Sequence, residues 1–191
     1  MPDYMSDFST LPEFPYPASP EIFAAASKVK LALFDVDGVL TDGSLCYGPD
    51  GEQTKTFNAL DGHGLKMLES VGVTVGIISA RNSVALKTRL SDLGIKHSHL
   101  GVKNKLQIFQ SLIEELELEP SQCAFTGDDV IDLPVMLRCG LKFSVSNGHF
   151  IVRHAADWIA PIAGGSGAVR AICDLLLYSQ NKYPLGSSTQ Q

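Results

Sequence analysis

Apolar residues in this chain fall into short unbroken runs, separated by stretches in which they recur every three or four positions. Val29, Leu31, Ala32, Leu33 and Phe34 form the first run and suit a strand over about 29–35 buried on both faces. Further runs predict strands over 73–79, 97–100, 123–126, 142–145 and 157–159. Between them, Leu106, Phe109, Leu112, Ile113 and Leu116 make one helical stripe over 104–118, closed by Pro120. Ser19-Pro20-Glu21 reads as the capped start of a helix to about residue 28. Other helices are predicted over 62–70, from an Asn82 cap to Gly94, over 133–138, over 151–155 and over 166–180. Residues 44–47 and 53–57, split by Gly48-Pro49-Asp50-Gly51, read as a hairpin. Alternating strands and helices imply an α/β, Rossmann-like three-layer α/β/α sandwich with a mostly parallel sheet. The expected organisation is a loose N-terminal arm over 1–19, one domain over 20–180 carrying the hairpin 44–57, and a mobile tail over 181–191 that helps to close a pocket.

Composition narrows the function classes. With 191 residues and 45% hydrophobic content the chain can bury a proper core, and a net charge of −6 with no basic block argues against a nucleic-acid partner. No apolar stretch approaches the ~20 residues of a membrane span, and the N-terminus lacks the pattern of a signal peptide. Cys46, Cys123, Cys139 and Cys173 are scattered and read as free thiols, which suits a cytoplasmic protein.

The chemistry gathers where strands end. The first run delivers Asp35-Val36-Asp37-Gly38, two carboxylates and a glycine at the C-terminal end of a strand, where open α/β sheets bind ligands. One carboxylate can attack phosphorus or hold a cation, and the other can give or take a proton. Ser79 follows the second long strand, and its hydroxyl can bind a phosphoryl oxygen or cap a helix. Lys105 sits in a first helical turn against the macrodipole, as a solvated lysine or as the partner of an anion bound there. Gly127-Asp128-Asp129-x-x-Asp132 suits a hard divalent cation such as Mg²⁺, with Asp129 or Asp132 also available as helix caps. His97 and His99 read as ordinary strand histidines, and 164–167 as a turn and helix start near the site. His63 and His149 have no assigned role.

These four motifs, in order and spacing, resemble those of the haloacid-dehalogenase-like phosphatases. The resemblance implies that Asp35 attacks phosphorus and becomes a phosphoaspartate, and that Asp37 protonates the leaving alcohol and then activates water. It also implies that Asp35, the carbonyl of Asp37, and Asp128 hold Mg²⁺, while Ser79 and Lys105 orient and neutralise the phosphoryl oxygens. On the chemistry, Asp37 needs a raised pKa to act as the acid.

The gaps after the first motif and before the fourth hold no lid, so the pocket is open in a monomer and an oligomer is expected, with Leu45, Tyr47 and Phe57 as contacts. The chain is similar over about 20–180 to the lidless, tetrameric 3-deoxy-D-manno-octulosonate 8-phosphate phosphatases. The matching runs are 34–43, Lys55-x-Phe57-Asn58-x-x-Asp61-Gly62-x-Gly64, 101–105, 127–136 and Gly164-Gly-x-Gly-Ala-Val-Arg170. By position, the resemblance places substrate contacts on Asn58, Asp61, Gly62, Lys66, Arg81, Arg89 and Lys105. It implies release of the free sugar acid for lipopolysaccharide synthesis by a homotetramer. Leu60 stands where that family usually has arginine, Ala80 replaces the commoner glycine, and Asn147 takes the place of an acid. Leu60 keeps open a nonulosonate (sialic-acid-like) 9-phosphate as substrate. A non-catalytic oligomeric regulator is the reading of a different class.

Overall fold

The computed structural model describes residues 11–49 and 51–184. Six parallel strands form one sheet in the order β5-β4-β1-β6-β7-β8: β1 (Leu31–Phe34), β4 (Thr74–Ser79), β5 (His97–Leu100), β6 (Cys123–Thr126), β7 (Leu141–Val145) and β8 (Trp158–Ala160). The hairpin β2 (Cys46–Gly48) and β3 (Gly51–Thr54) stands apart as a two-stranded antiparallel sheet. Helices α1 (Pro20–Ala26), α2 (Ala59–Ser70), α3 (Val84–Leu93), α4 (Lys105–Glu115), α5 (Leu133–Met136), α6 (Phe150–Ala155) and α7 (Ala168–Ser179) complete it. This is the expected α/β sandwich.

Strand pleat sorts the core into two layers. Ala32, Phe34, Val75, Ile77, Phe143 and Val145 point to one face and pack with residues of α1, α2, α3 and α7. Leu31, Leu33, Ile78, Cys123 and Phe125 point to the other and meet Phe109 and Leu112 of α4, Val135 and Met136 of α5, and Val152 of α6. The chain builds β4 and β5 on one side of β1, then crosses to build β6, β7 and β8 on the other. The end of β1 therefore lies at the topological switch point, where such sheets bind ligands.

Several boundaries differ from the expectation, each for a local reason. Helix α2 begins at Ala59 because Asn58 caps it, its Oδ1 accepting from the amides of Leu60 at 2.8 Å and Asp61 at 3.4 Å. The cap of α3 is Ser83 and not Asn82: Ser83 Oγ accepts the Leu86 amide at 3.3 Å. Helix α7 opens at Ala168 after Gly167, which has no side chain to cap it. The cap comes from α2, where buried Asp61 accepts the Arg170 amide through Oδ1 at 2.7 Å. Burial pushes the Asp61 carboxyl upward, and the amides of Arg170, Gly167 and Val169 oppose that rise. Gly64 lets the same two helices cross closely, since a methyl there would sit 3.0 Å from Arg170 Cδ and 3.1 Å from Cys173 Cβ.

Residues 1–10 of the expected arm, and 185–191 of the expected tail, lie outside the described residues. Between 11 and 18 the chain is docked on the domain: Phe14 packs edge-on against Phe23 and contacts Trp158 and Tyr178. Trp158 Nε1 donates to Pro17 O at 2.9 Å, and the Tyr178 hydroxyl donates to Pro12 O at 3.0 Å. All four cysteines are free. Among the described residues, no helix is long and apolar enough to cross a membrane.

Asp61→Ala should lower unfolding free energy by about 0.5–2 kcal/mol through loss of the α7 cap, and Asp61→Asn, which keeps an acceptor, by less. Urea unfolding checks this, and equal losses in the two variants would refute the capping role.

Candidate active site

Asp35 follows β1, and its amide donates to Thr126 O at 3.0 Å, which ties it to the end of β6. The next residues wrap tightly: the amides of Val39, Leu40 and Thr41 all point to Val36 O, at 3.2, 2.9 and 3.0 Å. Thr41 Oγ1 accepts from Gly38 and Gly43 at 3.3 and 3.2 Å. Gly38 has φ +94°, and any Cβ there would overlap the Asp128 carboxylate. Behind this loop lies the 164–167 turn. Gly164 packs on the Gly38 carbonyl, Gly165 donates to Val39 O at 2.9 Å, and Asn147 Oδ1 accepts from Gly164 at 2.9 Å.

Lys105, first residue of α4, is buried. Its Nζ lies 2.8 Å from Asp35 Oδ1 and 2.6 Å from Asp132 Oδ1. Burial pulls the Lys105 ammonium down, but Asp35 and Asp132 together hold its pKa above the ordinary value. Asp132 has no exposed surface, and its Oδ2 accepts from the amides of Asp128 at 3.1 Å and Asp129 at 3.3 Å. It therefore orients Lys105 and shapes the Asp128 turn. The sequence reading placed it in the acidic cluster suited to a cation, or as a helix cap, and missed its pairing with Lys105.

Asp35, Asp128 and Asp132 each bring a carboxylate oxygen within 4.8 Å of the others. Burial and the nearby Asp132 raise the Asp35 carboxyl to about 6, and burial with Asp35, Asp132 and Asp129 raises Asp128 to about 7. Asp128 Oδ1 is buried without a hydrogen-bond partner. Three carboxylates against one ammonium, with an orphaned oxygen among them, fit a hard divalent cation taking oxygen ligands.

Asp37 turns another way. Its Oδ1 pairs with Lys55, whose side chain is 1% exposed, and its Oδ2 lies 3.9 Å from Arg81 Nε. Arg81 follows β4, and its Nη2 donates to the Tyr47 hydroxyl of the hairpin at 2.7 Å. Ser79 ends β4, is buried, and its Oγ accepts the Arg81 amide at 3.2 Å, which leaves the hydroxyl proton to give. Lys55 and Tyr47 were not singled out as site residues; both sit on a short hairpin whose register gives no sign of what it faces.

The remaining predicted contacts are spread out. Arg89 Nη2 donates to Asn58 O at 3.4 Å, and its guanidinium lies 6.0 Å from the Phe57 ring. Gly62 leaves the room that Arg89 fills. Asp61 faces α7. Lys66, His63 and Leu60 are exposed on α2. His149 caps α6 through Nδ1, and its amide donates to Asp128 O at 2.7 Å.

The parallel sheet, the acid pair after β1, the lysine opening α4 and the acid turn after β6 are the arrangement of a haloacid dehalogenase-like hydrolase, and residues 101–172 match that family. The chain is 42% identical over 166 residues to the 3-deoxy-D-manno-octulosonate 8-phosphate phosphatase of Salmonella typhimurium, covering 87% of this chain and 88% of the relative. The structure of the Yersinia pestis phosphatase of that name superposes with a TM-score of 0.85 at 38% identity, over 87% of this chain and 90% of that one. The Moraxella catarrhalis phosphatase, solved with a magnesium ion, a phosphate ion and KDO, superposes with a TM-score of 0.84 at 39% identity, over 87% and 95%. The chain belongs to the 3-deoxy-D-manno-octulosonate 8-phosphate phosphatase family.

Metal binding should be proton-linked. In the metal-free protein the raised carboxyls of Asp35 and Asp128 add stability below the ordinary value of 3.8, and this is lost as pH rises through about 6 and about 7. A cation needs both groups ionised, so Mg²⁺ binding at about pH 6.5 should release protons and should strengthen toward about pH 8. Calorimetric titration in two buffers of different ionisation enthalpy checks this; buffer-independent heats at the lower pH would refute it.

Proposed function

We propose that the chain hydrolyses 3-deoxy-D-manno-octulosonate 8-phosphate to the free sugar acid and phosphate, in a Mg²⁺-dependent reaction that supplies lipopolysaccharide synthesis in the cytoplasm. The observation that carries this reading is the buried Asp35–Lys105–Asp132 arrangement beside Asp128, in a chain 42% identical to a phosphatase of that name.

On this reading Asp35 is the nucleophile. Lys105 engages its Oδ1 and leaves Oδ2 to attack phosphorus, forming a phosphoaspartate. The same ammonium faces the incoming phosphoryl group and offsets the repulsion between two anions. Ser79 donates its hydroxyl to a phosphoryl oxygen, and the Arg81 guanidinium stands at the mouth for the substrate's anionic end. Asp37 protonates the leaving alcohol, then takes a proton from the water that opens the phosphoaspartate. Asp35, Asp128 and the carbonyl of Asp37 would hold Mg²⁺, which supplies charge neutralisation at the phosphoryl oxygens. Asn58, Asp61, Gly62, Lys66 and Arg89 are carried as sugar-acid contacts on the resemblance alone.

Self-association, as a homotetramer, completes the proposal. Tyr47 is 61% and Leu45 43% exposed on the hairpin, beside a centre that no lid among the described residues covers. Replacing both by Asp should shift the sedimenting species to smaller assemblies; an unchanged sedimentation coefficient would rule the hairpin out as the interface.

Phosphate release should favour the octulosonate 8-phosphate over a nonulosonate 9-phosphate and arabinose 5-phosphate, should require Mg²⁺, and should vanish in Asp35→Asn. Preference for the nonulosonate would make exposed Leu60 part of a specificity change. No release from any of the three by folded wild-type protein would point to the non-catalytic oligomer.

A further inference from the structure

The hairpin contributes more than an exposed apolar face, because its last strand runs directly into Lys55. The Lys55 side chain is 1% exposed and its ammonium pairs with Asp37 Oδ1. A lysine buried to that degree has given up its hydration and is held by the acceptors around it. The other oxygen of the same carboxylate, Asp37 Oδ2, is buried and has no hydrogen-bond partner among the described residues. The second cation facing Asp37, Arg81 after β4, stands 3.9 Å from Oδ2 and directs Nη2 to the Tyr47 hydroxyl. One oxygen is thus pinned by Lys55, while the other is buried, faces the Arg81 guanidinium and takes no hydrogen bond among the described residues. A carboxylate without such a pin turns over a broad torsional range, because its terminal torsion has no sharp wells.

We propose that Lys55 is a positioning residue for proton transfer: it fixes Asp37 through Oδ1 so that Oδ2 is the atom that carries the proton. The inference rests on the phosphoaspartate reading above and deepens it. In the first half-reaction the bond from phosphorus to the leaving oxygen breaks as the Asp35 oxygen–phosphorus bond forms, and the proton on Asp37 Oδ2 passes to the leaving oxygen. In the second, water adds to phosphorus, its proton passes to Asp37 Oδ2, and the bond from phosphorus to Asp35 breaks. The second step returns the proton that the first used. Both need Oδ2 aimed at the reacting atoms, and the residue that aims it comes from the hairpin.

The test compares Lys55→Met and Lys55→Arg with wild type, all loaded with Mg²⁺, on p-nitrophenyl phosphate and on a simple alkyl phosphate such as glycerol phosphate. Neither substrate depends on recognition of the sugar acid, so a wrong sugar assignment leaves the result readable. Nitrophenolate leaves without a proton; an alkoxide does not. For Lys55→Met we expect a pre-steady-state burst of nitrophenolate close to one per site, followed by turnover slowed about 10–100-fold, with KM little changed. On the alkyl phosphate, by contrast, no burst of alcohol should appear, since phosphorylation itself now lacks its aimed acid. Lys55→Arg, which keeps a donor to Oδ1, should recover part of both rates. Equal loss on the two substrates with no burst, or unchanged rates, would overturn the proposal. If Lys55→Met does not fold, Lys55→Ala takes its place, with the same nitrophenolate burst and slowed second phase expected and their absence overturning the assignment.

Discussion

Everything at the C-terminal edge of the sheet depends on burying Asp35 beside Lys105. A lysine at the first position of a helix opposes the macrodipole, at a cost of about 0.3–1 kcal/mol. Removing one partner of a buried ion pair costs about 3–5 kcal/mol, because the other charge is left buried and uncompensated. Lys105 is therefore held by its two carboxylates and not by its helix. Asp132 completes the arrangement by spending one oxygen on Lys105 and the other on the Asp128 and Asp129 amides. The same side chain thus sets the position of the ammonium and the shape of the turn that presents Asp128.

Around this pair the loops are packed closely. The Asp128 carboxylate occupies the space where Gly38 would carry a side chain, and Gly164 lies on the carbonyl of Gly38. Three segments from distant parts of the sequence are so fitted to one another that a methyl group at either glycine would displace backbone or carboxylate. Asn147 supplies the acceptor that Gly164 needs. That contact ties β7 and the turn after it to the 164–167 turn behind the Asp35 loop.

The fold was legible because its signals are local. Buried parallel strands are continuous apolar runs, and strands 97–100 and 123–126 fall where the pattern put them. The chemistry at strand ends followed from the same pattern. What escaped has partners far away in the chain. Asp61 caps a helix 109 positions on, Phe14 packs on Trp158 and Tyr178, and Lys55 pairs with an acid in another element. No spacing rule reports such pairs. Ser83 was misread for a smaller reason: Asn82 and Ser83 both suit an N-cap, and only the backbone decides between adjacent residues.

The chain carries a net charge of −6, yet Lys55, Arg81, Arg89 and Lys105 all lie on elements that follow or face the C-terminal ends of β1, β4 and β5. An acidic protein that acts on an anion has to concentrate its cations in this way, and to keep them there it has to neutralise them in the absence of substrate. Asp37 does this for Lys55 and Arg81, and Asp35 with Asp132 does it for Lys105. On the proposed reading, an arriving phosphate shares the cations of these pairs and need not create a site. The hairpin then has two tasks joined in a few residues: Lys55 and Tyr47 face inward to the acid–base centre, while Leu45 and the exposed ring of Tyr47 offer the surface on which a second copy can close over it. On the proposed reading, assembly and proton transfer meet in one element, because a hairpin settled by its neighbours would hold Lys55, and with it Asp37, in place.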